Sequence, residues 1–359
     1  MQIFEYKNKN PKQILALGAE SNGNFSFFHK NKLYFSEDFG DLQEKINFAK
    51  YKNALSDFIE KNDFGPDIIL TDLHPNYLTT ELGKKLTKKY NAEHIHVQHH
   101  LAHIFSAIGD KQLRTTNYEL RTNAIGIACD GTGLGSDGKI WGGEIFKISP
   151  KIKRIGHLEN QILLGGELAI QEPARMLISI LSRFLTKEGV YKQVNKYYSA
   201  SQFEVLYNQL QQNFNCLETS STGRVLDAVS ILLGFCKNKR NYKHEPIELL
   251  EKNSTKPYTI KPITKNNILL TTPLFEYLVK NINKDKKRLA ATAQLYIAKG
   301  LYKLVENRKN IFFAGGIANN KIISSHLESK GIYTNKKVPR GDAGLSFGQI
   351  IYYLTNPRN

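Results

Sequence analysis

Cysteine is scarce in this chain: Cys129, Cys216 and Cys236 are the only three among 359 residues. They form no close pair, which argues against a disulfide scaffold and against a zinc ribbon. No apolar run approaches the ~20 residues needed to span a bilayer. The first residues, MQIFEYKNKNPKQ, carry no apolar stretch of signal-peptide type. The expectation is a cytoplasmic protein without membrane association. Several chemical signatures are missing too: there is no Walker A pattern, no G-x-S-x-G, no H-E-x-x-H, no C-x-x-C and no dinucleotide fingerprint. These absences weigh against a P-loop NTPase, a serine hydrolase, a zincin and a dehydrogenase.

Apolar residues make up 41% and charged residues 23%, ordinary values for a globular protein. The length accommodates one large domain or two to three smaller ones. The formal net charge is +17. An anionic partner such as nucleic acid, nucleotide or an acidic protein fits that excess. So does a solvated surface, because the lysines are scattered rather than collected in a stripe.

Two stretches repeat one theme. Residues 14–36 and 124–147 each read as an apolar strand, a glycine-containing turn and further strands. Residues 40–61 carry apolar residues at a helical period, 67–71 read as a buried parallel strand, and 287–306 and 344–354 read as helices. Residues 238–266 are polar and lysine-rich and are expected to form a loop excursion. Alternating strands and helices give an α/β fold, here with two lobes.

Half of the ten histidines fall in HIHVQHHLAH, residues 94–103. His99 and His103 are four apart, so a helix puts both imidazoles on one face, close enough to share a metal ion. The alternative is a pair of partly buried histidines bonded to backbone carbonyls. Remaining ligands would come from elsewhere, and two aspartates in glycine-rich turns are the candidates: Asp130 in CDGTGLGSDG and Asp342 in VPRGDAG. The glycines after Asp130, Gly131 and Gly133 among them, permit unusual backbone angles and close approach of N–H groups to an anion. An ordinary hairpin turn needs fewer glycines. AGGIANN (314–320) places Gly315 and Gly316 before an expected helix start, a place that favours phosphate. STGRVLD places Arg224 and Asp227 three apart, suited to a phosphate and a ribose hydroxyl or to a surface ion pair.

Taken together, VQHHLAH (97–103), DGTGLGSDGKIWGGE (130–144), SSTGRVLDAVSILLG (220–234), GGIANN (315–320) and VPRGDAGLSFGQ (338–349) resemble the carbamoyltransferase region of the HypF hydrogenase-maturation proteins. LALGAE (15–20), FGDLQE (39–44), DLHPNYLTT (72–80) and EPARM (172–176) fit the same pattern in the same order. The wider relatives are O-carbamoyltransferases and the TsaD-type enzymes that modify tRNA. The resemblance implies a two-lobe actin and sugar-kinase-like (ASKHA) fold with duplicated ribonuclease-H-like cores. The expected lobes are 12–118 plus 344–359, and 119–343. It implies a divalent metal, iron or zinc, held by His99, His103, Asp130 and Asp342, with His99, His103 and Asp130 catalytic. It further implies an adenine nucleotide, as carbamoyl-adenylate or ATP, in a pocket using Gly131, Gly133, Gly223, Arg224, Asp227, Gly315, Gly316 and Asn320. The acceptor would be the C-terminal cysteine of a HypE-like protein.

Some positions depart from the pattern. The family's lysine shortly after GAE is replaced by SNGN, with Asn22 near that place. Its Tyr-Glu-Gly stretch appears as NYKHEPIE (241–248), and Gln294 stands where a histidine is frequent. The adenylate-forming, acylphosphatase-like and zinc-finger segments are lacking, so the expectation is a transfer half served by a separate YrdC-like protein. Two competing readings are threonylcarbamoyl transfer to tRNA, which suits the positive charge, and a non-catalytic nucleotide-binding homologue.

Overall fold

The computed structural model describes residues 1–115 and 123–356; the expected lobe boundary at 118/119 lies outside the described residues. The first half runs β1 (Gln2–Glu5), β2 (Ile14–Ala16), β3 (Ser26–His29), β4 (Lys32–Phe35), α1 (Lys45–Lys61), β5 (Ile68–Asp72), α2 (Leu78–Tyr90), β6 (Glu93–Val97) and α3 (His99–Gln112). It continues with β7 (Ala124–Leu134), β8 (Ile140–Ile148), β9 (Lys153–Leu158), β10 (Gln161–Leu164), α4 (Leu168–Gln171), α5 (Ala174–Leu181), α6 (Lys187–Val194), α7 (Ala200–Gln211) and β11 (Cys216–Thr219). Then come α8 (Thr222–Leu233), α9 (Glu245–Lys252), β12 (Thr264–Lys265), β13 (Ile268–Leu269), α10 (Thr272–Lys280), α11 (Lys286–Lys303), β14 (Ile311–Ala314), α12 (Lys321–Glu328) and α13 (Leu345–Thr355).

The repeated theme is real in three dimensions. In the first sheet, ordered β1-β4-β3-β2-β5-β6, β2 pairs antiparallel with β3 and parallel with β5. In the second sheet, β7 pairs antiparallel with β8 and parallel with β14. Each half therefore centres on one apolar strand with a hairpin on one side and a crossover strand on the other.

Period-two alternation decides which core each side chain enters. Ile14, Ala16, Ile68 and Leu70 face one core, while Leu15, Leu17 and Ile69 face the opposite one, lined by Tyr51 and Leu55 of α1. In β14, Phe312 and Ala314 point one way and Phe313 the other. The shared core lies between the two sheets and is filled by α3 and α13, which pack on each other. Helix α13 also contacts β2 and β3, and α3 contacts β7 and β14. A helix set between two sheets is apolar or satisfied on every side, and each residue of α3 from His99 to Asp110 is buried.

Two expectations are corrected. The helix expected over 40–61 begins at Lys45, because amides of the segment before it are committed outside a helix: Gly40 to the Asp38 carboxylate and Leu42 to the distant Glu20 carbonyl. The polar stretch 238–266 is not all loop. It contains α9, where Pro246 at the start supplies a favourable helical φ and Glu245 and Glu248 occupy the first turn. Among the described residues, no helix is long and apolar enough to cross a membrane.

Candidate metal centre

Helix α3 is the platform of the site. Gln98 caps it, its side chain accepting from the Leu101 amide at 3.0 Å. That cap starts the helix at His99, so the i, i+4 spacing brings the His99 and His103 rings to a centroid separation of 4.7 Å. Asp130 comes from the middle of β7, where the register with β8 shifts between Cys129 and Gly133. Asp342 opens a short 3₁₀ turn, Asp342–Gly344, just before α13.

The four side chains converge. His99 Nε2 lies 3.1 Å from Asp130 Oδ2 and 3.5 Å from Asp342 Oδ1. His103 Nε2 lies 3.5 Å and 3.3 Å from the same two oxygens, and 3.1 Å from His99 Nε2. All four donor atoms fall within 4.8 Å of one another. Donors placed about 2.0–2.1 Å from a shared ion in a tetrahedron stand about 3.4 Å apart, and the separations found here bracket that value. Asp342 Oδ1 is buried with no hydrogen-bond partner, the state expected of an atom reserved for a ligand.

A third carboxylate fixes the tautomer. His99 Nδ1–H donates to Asp72 Oδ2 at 2.7 Å, so the ring presents its Nε2 lone pair to an ion once the second proton is given up. Asp72 is itself held, its Oδ1 accepting from the His74 amide at 2.9 Å. Asp130 Oδ1 accepts from the Gly131 amide at 2.8 Å and the Gly316 amide at 3.3 Å, which turns Oδ2 toward the histidines.

Electrostatics follow from this packing. Burial alone would lower the histidine pKa values. The carboxylates Asp72, Asp130 and Asp342 overcome it and hold His99 well above the ordinary imidazole value, and Asp130 and Asp342 raise His103. Burial would raise both aspartates, but the two adjacent histidines hold Asp130 and Asp342 below the ordinary carboxylate range. His100 is the opposite case: burial first, then the positive charge on His99, pushes it well below the usual value.

Of the expected nucleotide residues, Gly131, Gly133, Gly223, Arg224, Gly315 and Gly316 lie around Asp130 or the histidines. Gly223 at the start of α8 lies so close to β7 that a Cβ there would stand 2.8 Å from the Gly131 Cα. At Gly315 (φ 97°) a Cβ would meet the Cys129 carbonyl oxygen at 2.2 Å. Gly133 makes room for the His99 and His100 rings. The Gly131 and Gly316 amides, expected to face an anion from outside, are instead spent on the Asp130 carboxylate. The start of α12 is likewise satisfied by the protein. Asn320 Oδ1 accepts from the Ile323 amide at 3.0 Å, and Glu251 Oε1 accepts from the Lys321 amide at 3.0 Å. The Asn320 amide nitrogen donates to Gln294 Oε1 at 2.7 Å. Arg224 and Asp227 do not form a surface pair: both are buried, 2.9 Å apart, and Arg240 joins Asp227 at 2.7 Å.

Sequence reasoning overlooked Asp72 and Arg240 as site residues. Asp72 ends a parallel strand, the usual edge for binding groups in α/β sheets, and that position was the available clue. Arg240 sits in the polar stretch and offered none.

Residues 9–110 match the family described as HypF Kae1-like domain, and residues 126–349 match the family described as carbamoyltransferase, Kae1-like domain, second subdomain. The chain belongs to the HypF Kae1-like domain family. Among its relatives is the probable carbamoyltransferase HypF of Methanocaldococcus jannaschii, 38% identical over 96% of this chain and 47% of that protein. The HypF homolog of Cupriavidus necator is 27% identical, and there the match covers 94% of this chain and 90% of the relative. The crystal structure of T. kodakarensis HypF superposes with a TM-score of 0.88 at 29% identity, covering 98% of this chain and 49% of that one. A full-length HypF in the phosphate- and nucleotide-bound form also gives 0.88, at 25% identity, covering all of this chain and 57% of that one. The chain thus spans about half the length of several HypF proteins that it matches. The two-sheet α/β architecture agrees with theirs, as the ASKHA expectation required.

Proposed function

We propose that this chain is a metal-dependent carbamoyl-transfer domain. It would move a carbamoyl group from carbamoyl-adenylate to an acceptor thiol, the C-terminal cysteine of a HypE-like protein, in hydrogenase maturation. The convergence of His99, His103, Asp130 and Asp342 on one point carries the reading, joined to membership in the HypF Kae1-like family. The HypF relatives described above favour it over threonylcarbamoyl transfer to tRNA. The two proposed lobes, 12–118 plus 344–359 and 119–343, would meet at this centre.

The donor set, two neutral imidazoles and two carboxylates, suits a divalent ion such as iron or zinc. When bound, that ion would act as a Lewis acid on an oxygen of the substrate. The protein's own groups do the remaining work. Asp72 keeps His99 in the tautomer that presents Nε2. Gly131, Gly133, Gly223, Gly315 and Gly316 form a floor without side chains, against which a nucleotide can lie. Arg224 supplies buried positive charge beside Gly131, with Asp227 orienting it, while the side chain of Asn320 is held by Gln294. In the transfer, the acceptor thiol gives its proton to external base and its sulfur forms a bond to the carbamoyl carbon. The bond from that carbon to the phosphate oxygen breaks, and AMP departs with the electron pair. The adenylate would come from a separate YrdC-like protein or from further sequence.

The test is direct. Protein loaded with Fe(II) or Zn(II) is mixed with carbamoyl-adenylate and a peptide ending in cysteine, and the peptide is weighed for a thiocarboxamide. Formation that disappears in His103→Ala and on chelation supports the reading. Equal formation with chelated protein would overturn it.

A further inference from the structure

The stretch NYKHEPIE, where this chain departs from the resemblance noted above, lies over the metal centre. Lys243 Nζ stands 3.9 Å from Asp342 Oδ2. His244 is close enough to Asp130 and Asp342 to feel both charges. The backbone at Lys243 is pinned: its carbonyl accepts from Arg240 Nη1 at 2.6 Å, and Arg240 Nη2 is tied to the buried Asp227 at 2.7 Å. The Lys243 side chain remains about half exposed, at 51%, with its ammonium at the mouth of the site. The result is a half-exposed cation on a flexible stem with a fixed anchor.

Local charge shows what that cation awaits. A divalent ion is balanced by Asp130 and Asp342. Arg224 and Arg240 share the single charge of Asp227 and leave one positive charge over. Lys243 leaves a second, because Asp342, its partner in the metal-free protein, would be committed to the ion. The buried Asp72 behind His99 offsets one of these two, and the positive charge that remains favours an anion such as a phosphate in the cleft. The Arg224 Nε and Arg240 Nε atoms are both buried without a hydrogen-bond partner, consistent with a site built for further acceptors.

Resting on the carbamoyl-transfer reading above, we propose that Lys243 is the phosphate-contacting residue of the site and holds the charge that grows on the nucleotide as AMP leaves. When the bond between the carbamoyl carbon and the phosphate oxygen breaks, the departing phosphate goes from one negative charge to two. An ammonium on a flexible stem can follow that oxygen. Asn22, near the place of the family's lysine, carries no positive charge, and its amide donates to Asp38 at 3.0 Å.

Calorimetric titration of metal-loaded protein with AMP, and with adenosine as the charge-free control, tests this. Lys243→Met is expected to weaken AMP binding about tenfold, the range of one charge-assisted hydrogen bond. Adenosine binding should stay within about twofold, and Lys243→Arg should keep most of the AMP affinity. Lys243 is exposed, so neither variant should shift the melting temperature. AMP affinity unchanged in Lys243→Met, while the unaltered protein still prefers AMP to adenosine, would overturn the role of Lys243 and leave the transfer reading standing. No preference for AMP in the unaltered protein would overturn both.

Discussion

Asp72 and His99 are joined by a buried hydrogen bond of 2.7 Å from Nδ1–H to Oδ2, and the other nitrogen of the same ring faces Asp130 and Asp342. A carboxylate, an imidazole and a cation site in line make a relay in which the carboxylate sets the ring's orientation and basicity. Replacing Asp72 with Asn keeps the size but lets the amide present its NH₂ to the ring, which favours the wrong tautomer. Metal affinity is expected to fall about 10- to 100-fold in Asp72→Asn. Competition against a chromophoric chelator measures this. An affinity unchanged within twofold would show that ring orientation is set by packing alone.

Metal loading and pH should act on stability in opposite senses. In the metal-free protein His99 and His103 titrate above the ordinary imidazole value of about 6.5. Their stabilising contribution is full below that value and is lost as pH rises through the folded-state values. Asp130 and Asp342 titrate below the ordinary carboxylate value of about 3.9. Theirs is full above it and is lost as pH falls through the depressed values. The metal-free protein should therefore be most stable in mildly acidic solution and weaken above neutrality. A bound ion needs neutral imidazoles, so its contribution grows with pH. The melting-temperature difference between loaded and chelated protein is expected to widen from pH 6 to pH 9, and a constant or narrowing gap would refute this linkage.

The far end of α3 governs the second carboxylate. Asp110 accepts from the Tyr333 hydroxyl at 2.7 Å and from the Lys336, Lys337 and Val338 amides at 2.9, 2.7 and 2.6 Å. This pins the segment leading to Asp342, so one helix presents two site histidines and positions the loop that supplies a third member. Asp110→Ala leaves those buried donors unsatisfied, at a cost of about 1–3 kcal/mol each where water cannot enter. The variant should melt several degrees lower and bind metal more weakly than the native protein, although residue 110 touches no ligand. Loss of stability with native metal affinity would confine Asp110 to a structural role.

How much was legible in the residues depended on the range of the interaction. The His99 and His103 pairing follows from helical spacing, and the strand, turn and strand theme from short alternating runs, so both could be read locally. Resemblance supplied the convergence with Asp130 and Asp342, because nothing in the spacing brings residues 99 and 342 together. The glycine amides were misjudged for a reason of the same kind: Gly316 meets Asp130 across 186 positions, and without that contact its N–H looks free for an outside anion. Helix α9 was hidden because its polar, lysine-rich setting has the composition of a loop while Pro246 and Leu250 supply its buried positions.

Asp227 is the last test, because it is one anion between two cations. Its Oδ2 serves Arg224 at 2.9 Å and Arg240 at 2.7 Å, and all three side chains are no more than 6% exposed. Asp227→Asn keeps the shape but leaves two guanidinium groups buried without a counter-charge. The expected loss is about 3–5 kcal/mol of folding stability, the cost of stranding a buried ion. Adding Arg240→Met removes one of the stranded cations. The double variant should therefore be less damaged than the sum of the two single losses, a coupling of about 1–3 kcal/mol. Denaturant midpoints for the native, single and double variants give the cycle. If the losses simply add, Arg240 is held by packing rather than by Asp227, and the loop carrying Lys243 is anchored in some other way.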